Sequence, residues 1–316
     1  MKAVASGELL IDFNSVATDE MGYPTLEGHP GGATINCLAT LKTFGAEAAF
    51  IGKAGNDAFG KMLVSTMQKL GIDPRAVIMT DDAFTTLAFV TLDETGDRSF
   101  SFARKPGADL LLRFEEVDLS VFEGADVFHF GTVSMTEEPS RETTKKLVEY
   151  ARSKGILTGY DPNLRENLWK SLDDAREQML WGLAHCDVVK ISDDEIAFLF
   201  NTDPAEGAQQ ILAQYPDIRL IYATCGAEGC FYSNRRFAGF TPAMKGIRVI
   251  DTCGAGDIFG GSAMFRLLQH GKDPSALTKE ELDDITHFAA TAAGLSTRKH
   301  GGISSIPPLD EVLQAL

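Results

Sequence analysis

The sequence predicts an α/β protein: a three-layer, doubly wound, mostly parallel sheet carrying a small β lid. Three observations carry that expectation. From residue 125 onward, short apolar runs alternate with stretches of helical periodicity, as in a parallel sheet covered on both faces. Two period-2 stretches, 85–92 and 98–103, break this rhythm and flank a turn-forming segment at 93–97, which reads as an antiparallel hairpin. At 316 residues, the chain is long enough for one large α/β domain. The lid is assigned to 12–30 and 84–106, and the core to 1–11, 31–83 and 107–316.

Composition narrows the function. A hydrophobic content of 44% and a charged content of 23% suit a globular protein. A net charge of −16 argues against a nucleic-acid surface, which needs clustered Lys and Arg. No run reaches membrane-helix length, and the N-terminus enters a strand-like stretch rather than a signal peptide. The five cysteines (37, 186, 225, 230 and 253) are scattered and odd in number, which suggests reduced thiols and a cytoplasmic protein. The six histidines show no ligand spacing, so none is assigned to catalysis.

In chain order, 3–7 and 9–12 read as one buried strand ending in Asp12. Ligands in open α/β sheets lie beyond the carboxyl ends of the strands, so Asp12 is a ligand candidate or a loop acid. Gly31 and Gly32 open a helix, with Asn36 one turn inside, able both to donate and to accept. Residues 55–62 nearly spell a phosphate-binding P-loop. The last position is Met62, whose thioether cannot replace the magnesium-binding hydroxyl, and that reading fails. In the expected lid, Phe100 and Phe102 share a face, for packing or for ligand contact, and Arg104 closes the strand.

The core alternation continues with a strand at 125–130, a helix at 140–153, a strand at 156–160 and a helix at 172–185. Further elements are expected at 187–191, 193–200, 218–224 and 229–233. Arg165 follows a strand end and Asp161-Pro162-Asn163; a ligand contact and a surface salt bridge both fit it. Residues 190–195 read as a strand end and helix N-cap with acids in the first turn. Residues 223–229 form a strand–turn–strand with paired glycines, and small residues around 288–294 leave room for a flat ring or another helix.

After an expected strand at 247–250, Asp251-Thr252-Cys253-Gly254-Ala255-Gly256-Asp257 forms a glycine-punctuated turn into a helix. Free N–H groups at such a start, backed by the helix dipole, make an anion pocket. An acid beside that pocket would repel a phosphate, but it makes sense as a base that deprotonates an attacking hydroxyl.

That seven-residue string resembles the signature of the PfkB (ribokinase-like) sugar kinases, Asp/Asn-Thr-x-Gly-Ala-Gly-Asp. Gly31-Gly32 with Asn36 resembles the family's Gly-Gly-x-x-x-Asn, and residues 52–60 its Gly-x-x-Gly-x-Asp-x-x-Gly. Glu195 matches the glutamate of its Asn-x-x-Glu, with Ser192 in place of the asparagine. Residues 8–13, 99–109, 138–141 and Asp161-Pro162-Asn163-Leu164-Arg165 are similar to bacterial fructokinases.

The resemblance implies a ribokinase-like fold and ATP-dependent phosphorylation of a primary hydroxyl, D-fructose giving fructose 6-phosphate. A 2-keto-3-deoxygluconate or aminoimidazole riboside kinase, or a non-catalytic sugar sensor, would be the alternative. It implies Asp257 as base and the Gly254, Ala255 and Gly256 amides as anion hole. Asp12, Gly31, Gly32, Asn36, Phe102, Arg104 and Arg165 would hold the sugar. Lys190, Ser192, Glu195, Thr224, Gly226, Gly229 and Ala290 would hold ATP. Glu195 would organise Mg2+ through water, Asp251 and the 289–302 region would line a monovalent-cation (K+) site, and the lid strands would pair in a homodimer.

Overall fold

The computed structural model describes residues 1–92 and 98–316. The turn expected at 93–97 and the Phe100 side chain lie outside the described residues. In chain order the elements are β1 (Lys2–Ser6), β2 (Leu10–Thr18), β3 (Pro24–Gly31), α1 (Ala33–Thr43), β4 (Glu47–Gly55), α2 (Ala58–Leu70), β5 (Asp73–Thr80), β6 (Thr86–Leu92) and β7 (Arg98–Ala103). The middle of the chain forms β8 (Val127–Gly131), α3 (Ser140–Ser153), β9 (Leu157–Asp161), α4 (Leu172–Ala184), β10 (Val188–Ser192), α5 (Asp193–Phe200) and α6 (Pro204–Gln214). It closes with β11 (Leu220–Thr224), β12 (Gly229–Ser233), β13 (Ala238–Pro242), α7 (Ala255–His270), α8 (Lys279–Ser296) and α9 (Leu309–Ala315).

Nine strands form the main sheet in the order β13-β12-β11-β10-β9-β8-β1-β4-β5. Pairing is parallel from β5 to β11 and antiparallel for β12 and β13. The chain winds outward from β1 in one direction and then, from β8, in the other, so a topological switch point lies between β1 and β8. The core is split by the sheet. Ile35 and Leu38 of α1, Leu63 of α2, Ile258 and Phe265 of α7 and Phe288 of α8 pack on one face. Leu147 of α3, Met179 of α4, Ile196 of α5 and Ile211 of α6 pack on the other. Each helix buries an apolar stripe on strands that are apolar on both sides, which fixes the three layers.

A second, smaller sheet is ordered β3-β2-β6-β7, where the sequence places the expected lid. β6 and β7 pair antiparallel, with Leu87 opposite Ala103, as the period-2 pattern implies. Phe13 of β2 stacks on Phe89 of β6 at 5.5 Å and meets Phe59 of α2 edge-on at 5.7 Å, joining lid to core. Asp57 caps α2 through Phe59 and Gly60, and the same carboxylate accepts from the Thr85 amide at the foot of β6.

Two sequence expectations are corrected. The single strand read through 3–12 is two strands in different sheets, because the chain leaves β1 at Ser6 and enters the smaller sheet, which carries Asp12, at Leu10. The strand expected at 247–250 does not form, and Val249 and Ile250 are exposed. With β13 already pairing at the sheet edge, these apolar residues turn toward a cleft instead. The remaining alternation falls as read, with Ser140–Ser153, Asp193–Phe200 and Gly229–Ser233 at the expected bounds.

Candidate active site

The site lies at the carboxyl ends of β1, β9 and β10, where α7 begins. α7 starts without a side-chain cap: its N-cap residue, Gly254, is left-handed (φ 74°), and a Cβ there would sit 2.8 Å from the Gly302 Cα. Only glycine fits both demands. The Ala255 N–H donates to the Thr252 carbonyl at 3.2 Å. That amide therefore closes the turn, and Gly256 and Asp257 supply the remaining first-turn donors. The expected anion hole named the Gly254, Ala255 and Gly256 amides; of these the Ala255 amide already has the Thr252 carbonyl as partner.

Asp257 projects from the first turn into a cleft of about 290 Å3 also lined by Asp12, Gly32, Asn36, Phe102, Arg165, Lys190, Ser192 and Glu195. The Asn36 side-chain amide donates to one Asp257 oxygen at 2.9 Å, and the Asn163 amide to the other at 3.1 Å. Burial pushes the Asp257 carboxyl up to about 7, the Asp161 carboxylate adds to this, and Asn36, Lys190 and Arg165 oppose it. A carboxyl poised near neutrality, oriented through both oxygens, can take a proton from an alcohol.

Burial also pushes Asp12 up to about 7, against the pull of Arg165. A Cβ on Gly31 would fall 2.1 Å from Asp12 Oδ2, so that glycine makes room for the carboxylate. Lys190 bonds Asp161 at 3.0 Å; burial alone would lower it, but Asp161, Glu195 and Asp257 hold its ammonium above the ordinary lysine range.

A second cleft, of about 380 Å3, is mostly apolar and lined by Thr224, Gly226, Gly229, Ala290 and Gly294, with Met244, Ile247 and Val249 opposite. Thr252 and Gly256 line both clefts. A polar cleft of sugar size thus meets, at the uncapped start of α7, an apolar cleft that suits a flat ring. Of the seven residues expected to hold ATP, Thr224, Gly226, Gly229 and Ala290 line the second cleft, while Lys190, Ser192 and Glu195 line the first.

Arg104 departs from expectation. It is buried, and its guanidinium donates to Asp109 at 2.6 and 2.9 Å, to Thr136 and to the Val133 carbonyl. It locks the end of β7 to the core and does not line the Asp257 cleft, because the short step to Asp109 satisfies the cation before it can reach a ligand. Glu195 also has added duties. One oxygen accepts from the Ser192 N–H at 2.9 Å, while Ser192 caps α5 in return, and the other accepts from the Leu164 N–H at 2.8 Å. Asp251 is buried and accepts from the Cys253 and Gly301 amides, with His300 at 3.4 Å.

Sequence reasoning missed Asp161, Asn163 and Glu8. Glu8 is buried at the cleft and accepts from the Ala33 N–H at 2.6 Å, and burial raises its pKa. The quoted Asp161-Pro162-Asn163 motif held the signal for the first two, but only the fold turns them toward Asp257.

A buried carboxylate beside an uncapped helix start, between a polar and an apolar cleft, suits a phosphotransferase with an alcohol acceptor. Comparison with known proteins agrees. The model of the pfkB family carbohydrate kinases matches residues 1–309, and the chain belongs to that family. It is 40% identical to Fructokinase-1 of Zea mays over 99% of this chain and 97% of that protein. It is 38% identical to Fructokinase-1 of Oryza sativa subsp. japonica, at the same coverage. The fold matches the crystal structure of fructokinase with bound ATP from Xylella fastidiosa at a TM-score of 0.91, with 31% identity, covering 99% of this chain and 97% of that one. Fructokinase from Vibrio cholerae O395 in its fructose, ADP and calcium ion bound form matches at 0.87, with 27% identity, covering 100% and 98%.

Proposed function

We propose that this carbohydrate kinase transfers the γ-phosphoryl group of ATP to the primary hydroxyl of D-fructose, giving fructose 6-phosphate and ADP. The observation that carries the reading is Asp257, held by Asn36 and Asn163 at the junction of the two clefts. Similarity to plant and bacterial fructokinases along nearly the whole chain supports the choice of sugar.

In this reading Asp12, Asn36, Arg165 and the Gly31-Gly32 backbone hold the sugar hydroxyls, with Phe102 on the lid side. Asp257 takes the hydroxyl proton as that oxygen bonds to the γ-phosphorus and the bond to the ADP oxygen breaks. The Gly256 and Asp257 amides, with Gly254 at the turn and Lys190 beside them, face charge developing on the transferred group, usually a large catalytic contribution. The apolar cleft takes the adenine.

Among the described residues no cluster of three or more His, Cys, Asp or Glu could hold a metal by itself. Both Glu195 oxygens already accept N–H groups, so Glu195 would hold a magnesium ion on the ATP phosphates through water rather than directly. Magnesium would supply charge neutralisation on those phosphates. Asp251 would face a K+ ion with the 289–302 loop. No helix among the described residues is long and apolar enough to cross a membrane. The assignment to the cytoplasm rests instead on the five scattered, unbridged cysteines, which suit a reducing compartment. The lid's edge strands and its exposed Val16, Met21 and Tyr23 suit a homodimer through the lid.

A coupled assay of ADP release across a sugar panel tests the reading. Fructose should give the highest kcat/KM. Preference for 2-keto-3-deoxygluconate or an aminoimidazole riboside, or ADP release indifferent to sugar, would overturn it.

A further inference from the structure

Segment 243–250, where the expected strand is absent, has two faces. Its Met244, Gly246 and Ile247 line the apolar cleft, and the same three residues line a separate cavity of about 370 Å3 on the other side. Lys245, Arg248 and Arg298 surround that cavity, and Leu295 of α8 contributes to its apolar wall. The chain carries 45 acidic against 29 basic residues, so three cations around one concavity run against its overall charge. Arg298 pairs with Glu311 at 2.9 Å, half exposed. Lys245 and Arg248 have no ion-pair partner among the described residues. Lys245 and Arg248 thus bring two uncompensated charges to a cavity that the Arg298–Glu311 pair also borders, and a bound anion would neutralise them.

We infer that this cavity is a second anion site, for a small phosphorylated metabolite whose phosphate meets Lys245, Arg248 and Arg298 and whose body lies on Met244, Ile247 and Leu295. The segment packs closely on α8, since a Cβ on Gly294 would lie 2.7 Å from the Met244 Cβ and 2.9 Å from the Ile247 Cδ1. Occupying the outer face therefore bears on the inner wall of the apolar cleft. Binding at the cavity and binding in the cleft are coupled, and the coupling is reciprocal. Only this coupling rests on reading the apolar cleft as the nucleotide site; anion binding does not.

Titration calorimetry on the intact protein tests it, with a non-hydrolysable ATP analogue and magnesium at saturation to fill the catalytic clefts. One arm titrates inorganic phosphate and the other adenosine monophosphate. Either ligand should bind at one further site, and the Lys245→Glu/Arg248→Glu variant should weaken binding at least tenfold with an unchanged melting temperature. Equal affinity in both arms would mark a free-phosphate site, and tighter adenosine monophosphate a phosphomonoester site. Should the double variant misfold, Arg298→Ala should weaken binding severalfold. No additional site in either arm, or undiminished binding in the folded variant, overturns the inference. A separate titration of the ATP analogue with and without saturating phosphate reads the coupling: its affinity should shift, and no shift overturns the coupling while leaving the anion site and the assigned fructose chemistry untouched.

Discussion

Asn163 donates its side-chain amide to Asp257 across 3.1 Å, joining the end of β9 to the first turn of α7. Asn163 sits in the left-handed region at φ 51°, a conformation asparagine tolerates better than most residues. With Asn36 on the other oxygen at 2.9 Å, the carboxylate is clamped from two elements.

Asp257→Asn should keep sugar and ATP binding and lower kcat by about 10²–10⁴-fold or more. Asn163→Ala should lower kcat less, with little change in KM for ATP. Steady-state kinetics on both substrates check this, and near-normal turnover in Asp257→Asn would remove the base assignment.

The pH profile follows from the raised carboxyl. With Asp257 pushed up to about 7, the free enzyme is protonated below that pH and lacks its base, so kcat/KM should climb with pH and level off above about 7. Asp12, also pushed up to about 7, titrates in the same range, so the limb should be steeper than one proton allows. A profile flat from pH 5 to 8 would contradict this.

Arg104→Ala should act on stability rather than on sugar affinity. It leaves the buried Asp109 without its cation, a loss of about 3–5 kcal/mol. Thermal melting should fall sharply, and in the surviving folded protein the KM for sugar should change by less than about threefold, below 1 kcal/mol. A large rise in that KM at unchanged melting would return Arg104 to the sugar site.

His129, in the middle of β8, is held down to about 4 by burial, with Lys190 adding to the effect. The unfolded chain binds that proton near pH 6.5 and the folded chain only near 4, so stability is lost as pH falls through this window. The loss approaches roughly 3 kcal/mol for this residue. His129→Asn should flatten the pH dependence of denaturant unfolding between pH 6.5 and 4 relative to the parent; identical slopes would exclude the effect.

Local patterns revealed much of this protein. The alternation after residue 125 located helices α3 and α5 and strand β12 because each shows a clear period and clear ends. The Asp251–Asp257 string located the helix start because glycine spacing and a terminal acid are local features. What escaped depends on distance in the chain. Arg104 finds Asp109 five residues on, a turn that periodicity does not report. Asn163 and Asp257 are 94 residues apart, and only the sheet order brings them together. The break after Ser6 was hidden because both halves of the stretch are equally apolar, so hydropathy alone cannot tell one strand from two in different sheets.

That break matters beyond topology. Asp12 rides on the smaller sheet, whereas Asn36 and Asp257 are fixed to helices of the larger one. A single fructose molecule gripped by all three would therefore staple the two bodies together, so acceptor capture and exclusion of bulk water become one event. Phosphate loss to solvent would then be suppressed by the act of recognising the correct alcohol.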